Sequence, residues 1–216
     1  MGKGAGSVSI IGGTDGPTSI FIVGKGDREK LTTRIQNYFR KLKRNRLKKR
    51  ITVNSHTLEE VVQLLKREYG AVEVSQQSFH YQEQRKCLKA SLVMRHRPDL
   101  LGELMDLKPP EGEDVEALKT FCGQIQEREK MAAEIAENIF PLDFHIYEIR
   151  CPKNCMMRIG VETVWQVLDG SFSGDKKTMK ELKKLFKKIY LYYGVTARDI
   201  KNEAERYKEL LAILCL

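Results

Sequence analysis

Long apolar runs are what this chain most clearly lacks. A helix that crosses a bilayer needs about 18 or more consecutive apolar residues, and the most apolar stretches, residues 20–23 and 210–216, are far shorter. The expectation is a soluble protein with no membrane association. The N-terminal residues have no secretory pattern either: their apolar run is brief, rich in glycine and followed by Lys25. Gly6 stands where a myristoylation signal needs Ser or Thr. The cysteines Cys87, Cys122, Cys151, Cys155 and Cys215 are odd in number and form no C-x-x-C pair. Without a leader, that usage reads as free thiols in a reducing cytoplasm.

Catalytic motifs are also missing. Neither G-x-x-x-x-G-K-S/T nor G-x-G-x-x-G is present, so no standard phosphate or dinucleotide loop is encoded. Gly170-Ser171-Phe172-Ser173-Gly174 puts Phe where a nucleophile elbow needs Ser. The histidines His56, His80, His96 and His145 lie in unrelated contexts. Cys151 and Cys155, with His145 upstream, fall one ligand short of a structural zinc set. The pairs Glu181/Lys183 and Asp199/Lys201 have the acidic-x-Lys form of a nuclease element, but they sit in helical patterns where such charges are solvated. The reading is of a non-enzyme with no cofactor and no metal.

Charge, by contrast, is abundant and unevenly placed. The net charge is +9, yet residues 1–50 hold 13 Lys/Arg against 3 Asp/Glu, and residues 101–150 hold 5 against 12. Eight cations fall within eleven residues: Arg40, Lys41, Lys43, Arg44, Arg46, Lys48, Lys49 and Arg50. That density attracts phosphate backbones and releases their counterions. A second basic series spans residues 176–188, but its apolar residues repeat so regularly that a solvated helix face explains it. Tyr38 and Phe39 flank the first cluster, and Tyr190, Tyr192 and Tyr193 follow the second. Aromatics so placed either stack on bases or belong to the core.

The pattern of elements predicts an α+β protein: a small N-terminal β element and mixed sheet, then a helical C-terminal half ending in a helical hairpin. Short strands are expected at residues 7–11 and 18–23, joined by a turn through Gly12, Gly13, Asp15, Gly16 and Pro17. A long helix follows Asp27, with apolar positions Leu31, Ile35, Tyr38 or Phe39, and Leu42, and its cationic end need not pack on anything. A second helix runs from about residue 57, capped by Ser55, to Gly70. Residues 71–75 and 88–93 read as strands, Arg97-Pro98-Asp99 opens a short helix, residues 114–138 read as an acidic helix, and residues 144–149 as a strand. Met179, Leu182, Phe186, Ile189 and Tyr193 mark a helix stopped by Gly194. Thr196 and Asp199 then box the start of a final helix through Leu214. The prolines of Lys108-Pro109-Pro110-Glu111-Gly112 suggest a boundary between residues 1–108 and 109–216, unless the whole is one domain.

Residues 9–22, with the core Gly12-Gly13-Thr14-Asp15-Gly16-Pro17-Thr18, resemble a signature stretch of the β subunits of sodium-translocating decarboxylases. In that resemblance Asp15 corresponds to an Asp of the ion path. It covers 14 of 216 residues, and the remainder departs from that polytopic family. The leading functional expectation is therefore a nucleic-acid- or nucleoprotein-binding accessory protein using residues 40–50. The alternatives are a ligand- or ion-binding protein or enzyme built on Gly12, Gly13, Asp15 and Gly16, and a protein that docks its basic helix on an acidic protein surface.

Overall fold

A computed structural model describes residues 6–10, 31–110, 114–151 and 155–216. In chain order the elements are β1 (Gly6–Ile10), α1 (Leu31–Lys48), β2 (Asn54–Ser55), α2 (Leu58–Tyr69), β3 (Val72–Glu73), α3 (Phe79–His96), a 3-10 segment (Pro98–Asp106) and α4 (Val115–Glu134). They continue with β4 (Phe144–Cys151), β5 (Cys155–Glu162), β6 (Val167–Gly174), α5 (Thr178–Tyr193), β7 (Gly194–Val195), α6 (Ala197–Lys201) and α7 (Glu205–Cys215). The class is α+β. One sheet has the strand order β1-β6-β5-β4-β3, and β2 and β7 form a two-stranded ladder. Among the described residues no helix is long and apolar enough to cross a membrane. The expected strand at residues 18–23, the turn before it and the Asp27 cap lie outside the described residues.

The chain folds into two units that interleave along the sequence. Unit 1 takes residues 1–71, 149–158 and 170–216, and unit 2 takes residues 72–148 and 159–169. The Pro109-Pro110 stretch lies inside unit 2. β4, β5 and β6 each pass from one unit into the other.

In unit 1, β1 runs antiparallel to β6 in the register Gly6↔Gly174 to Ile10↔Gly170. The cap of α2 is Thr57 rather than Ser55, which is drawn into β2. Thr57 has Glu60 three residues on, so each accepts the other's backbone N–H, a reciprocal box that Ser55 with Leu58 could not make. Gly70, at φ 59°, ends the helix in the left-handed region. On α5 the buried set is Leu182, Phe186, Ile189, Tyr190 and Tyr193, and α5 packs against α2 and α7. Phe172 of β6 meets Phe186 at 5.3 Å. The hairpin forms, but the expected single final helix is two. Thr196 and Asp199 box α6 as expected, the chain then breaks at Asn202 and Glu203 (φ 44°), and α7 restarts at Glu205. The break seats Tyr207, Leu210, Leu211 and Ile213 in the core. It also lets the Arg206 guanidinium donate to the carbonyls of Gly194, His56 and Tyr193.

In unit 2 the expected strand at residues 88–93 is helix. Ser78 caps α3 by accepting from Tyr81 N, and the helix runs 18 residues with Tyr81, Leu88, Lys89, Ala90, Leu92 and Val93 all buried. Over Leu88-Lys89-Ala90-Ser91-Leu92-Val93 apolar and polar residues nearly alternate, and so short a window does not separate a strand from a buried helix. Lys89 is buried because its ammonium donates to Ile135 O and Glu137 Oε1. The core joins these residues to Leu101, Ala132, Phe140, Phe144 and Ile146, with Trp165 stacked on Phe140 at 4.5 Å.

Two buried carboxylates shape the β5–β6 hairpin. Glu162 is fully buried and accepts the N–H groups of Asp143, Val164 and Trp165, holding the turn that joins the strands. Glu162→Ala leaves those donors unpaired and should cost about 2 kcal/mol in chemical denaturation. A change within about 0.5 kcal/mol would show that the turn is held otherwise. The second carboxylate, Asp169, faces Gly160, where an added Cβ would collide with Asp169 Oδ1.

Candidate nucleic-acid interface

The basic run occupies the last turns of α1 and the turn that follows, and the helix packs along α7. Two of its cations have internal duties. Lys43 Nζ donates to Cys215 O at 2.7 Å, and Lys48 Nζ is 2.7 Å from Glu203 Oε1. The last carbonyls of a helix have no partner within it, and a lysine that reaches them also opposes the negative end of the dipole. The cationic end of α1 is thus packed on α7, not left unsupported. Lys41, Arg44, Arg46, Lys49 and Arg50 are exposed, while the Arg40 side chain lies outside the described residues.

The same end of α7 receives a second lysine, Lys187 of α5, whose Nζ donates to Leu214 O at 3.1 Å. Burial, then the charges of Lys43 and Lys183, push its ammonium below the usual lysine value. Two basic clusters some 140 residues apart in sequence therefore meet around one helix terminus. The α5 series, expected to be only a solvated face, is partly that: Lys184 pairs with Glu181 at 3.2 Å. Lys187, however, reaches the helix end that Lys43 of α1 also reaches. The one clue in the sequence was that α7 has no basic residue in its last turn and so takes cations from elsewhere.

The aromatic residues divide. Tyr190 and Tyr193 are core, and the Arg206 guanidinium lies 3.5 Å over the Tyr193 ring. Tyr192 is half-buried and stacked on His56 at 3.9 Å. Tyr38 is 61% exposed and shares a helical face with Lys41, Asn45 and Lys49, at spacings of three, four and four. The loop residues Gly12, Gly13, Asp15 and Gly16 lie outside the described residues.

The chain has no significant match among family models, curated proteins or solved structures. Charge therefore has to be read from the two units themselves. Unit 1 contains 29 Lys/Arg against 12 Asp/Glu, a net +17, and unit 2 contains 9 against 17, a net −8. The asymmetry between sequence segments is thus also an asymmetry between the two units. In unit 2, His145 sits between Glu73 (2.7 Å) and Asp143 (3.1 Å). Burial opposes the charge on its ring, but the two carboxylates outweigh burial and raise its pKa. This ion cluster ties β3 to β4. Of the thiols weighed for zinc, Cys155 is buried and the Cys151 side chain lies outside the described residues.

Proposed function

We propose that this protein binds nucleic acid through phosphate contacts made by unit 1, as an accessory rather than an enzyme. The observation that supports the reading is the convergence of Lys43 and Lys187 on the last carbonyls of α7, which brings two basic sequence clusters to one helix end on a unit of net +17. Such a surface reads charge, not base identity, so binding is weakly sequence-dependent and steeply salt-dependent. A place in the reducing cytoplasm fits the exposed free thiols Cys87 and Cys122.

The test is a gel shift with unrelated DNA and RNA at two salt concentrations. The informative variant is K41Q/R44Q/R46Q/K49Q, which leaves Lys43 and Lys48 in their structural roles. It should flatten the dependence of log affinity on log salt by about three units and weaken all sequences alike. Stability should change by no more than about 0.5 kcal/mol, because these side chains are exposed. Absence of any shift with wild type at low salt overturns the reading and leaves an acidic protein as the partner of this face.

A further inference from the structure

Among the described side chains of Phe, Tyr and Trp, two stand largely in solvent: Tyr38, 61% exposed, and Phe79, 82% exposed. Phe79 belongs to the acidic unit 2, whereas Tyr38 belongs to the basic unit 1. Phe186, Tyr190, Tyr193 and Tyr207 of unit 1 are all in its core. A single exposed apolar residue is ordinary on a surface. The company Tyr38 keeps is not. Lys41 and Asn45 follow it in α1 at three and seven residues, both exposed, so ring, ammonium and carboxamide share one face. Arg44 and Arg46, the sequence neighbours of Asn45, are also exposed and project about 100° to either side of it.

We propose that this face takes single-stranded nucleic acid, with an unpaired base stacked on the ring of Tyr38. The proposal rests on the nucleic-acid reading of unit 1 and adds the form of the ligand. Cations hold phosphates whether the strand is paired or not, so Lys41, Arg44 and Arg46 do not distinguish the two. The ring does. In a duplex each base is closed between its neighbours, while an unpaired base offers its π-face to an aromatic side chain. Asn45 lies about 10 Å further along the helix axis, and its carboxamide both donates and accepts. It is placed for the edge of a following base, which only an open strand presents. Stacking tolerates every base, so the preference is for strand form and not for sequence.

Fluorescence anisotropy of the full chain tests this with three labelled ligands of equal length: a mixed-sequence single strand, its duplex, and a strand of abasic sugars. Wild type should bind the mixed strand about tenfold more tightly than the abasic strand. Tyr38→Ala should remove that difference, leave binding of the duplex and the abasic strand unchanged, and keep the salt slope, because the ring neutralises no phosphate. Tyr38→Trp, which keeps a stacking surface, should retain the preference. If Tyr38→Ala weakens all three ligands alike, the ring is structural and the proposal is overturned. If Tyr38→Ala changes nothing while K41Q/R44Q/R46Q/K49Q flattens the salt slope, stacking is rejected and the charge reading stands. Wild type that binds none of the three overturns both.

Discussion

Replacing Gly194 with alanine should lower stability by about 4 kcal/mol, the largest effect expected of any single substitution here. Gly194 ends α5 and opens β7 with φ 60° and ψ −157°, a conformation essentially confined to glycine. A Cβ there would collide with the backbone oxygen of Asn54 in the facing strand, and backbone cannot swing aside as a side chain can. The strain of the backbone and the parting of β2 from β7 then add, which places the change in the upper range for point substitutions. Gly70 is the control. It too has positive φ (59°), but nothing lies within 4 Å of an added Cβ. Gly70→Ala should therefore cost only the left-handed penalty, about 1 kcal/mol. Equal losses at the two sites in urea denaturation would show that the contact with Asn54 is not the source.

The second large effect is a dependence on pH. Burial raises the carboxyl of Asp169 from the ordinary 3.8 to about 6, with a hydrogen bond from Gly160 pulling the other way. The folded protein therefore holds this proton more tightly than the unfolded chain does. Its contribution to stability is fully present below about pH 4 and is lost as pH rises through about 6. The shift from 3.8 to about 6 corresponds to about 3 kcal/mol. Denaturation of wild type and Asp169→Asn across this range should diverge by that amount, with Asn gaining relative stability as pH rises. Glu137, Asp143 and Glu203, whose carboxyls are held below their ordinary values, slope the other way, but they are common to both proteins and cancel. Parallel curves would refute the assignment.

The helices of unit 1 were legible because their signals are local. Thr196 with Asp199, and Gly70 and Gly194 at helix ends, act within one turn of chain. β5 and β6 were not read from the sequence. Their residues include Gly160, Gly170, Gly174 and the buried Asp169, all poor strand formers on propensity. Gly160 makes sense only beside Asp169, nine residues away and on the neighbouring strand. The break at Asn202 was hidden for a similar reason, since the apolar stripe continues through it and Arg206 finds its carbonyls elsewhere in the chain. At the candidate interface, the sequence showed which residues are cations but not what each does. Lys43 and Arg44 are adjacent, yet Lys43 reaches a carbonyl 172 residues away while Arg44 is exposed. Distribution of charge was visible by segment, but its sorting into two bodies needed the fold, because residues 149–158 and 170–216 return to the basic unit after the acidic one.

That return sets an order of events during synthesis. Unit 2 has all its chain once residue 169 has emerged from the ribosome, whereas β1 waits for residues 170–174 to pair with it, and α1 waits for α7. Pairings across so many residues close late, since the entropy of the loop must be met before the contact forms. A nascent chain paused after β6 would display a finished acidic body and an open basic one, its Lys43 still without the carbonyl of Cys215.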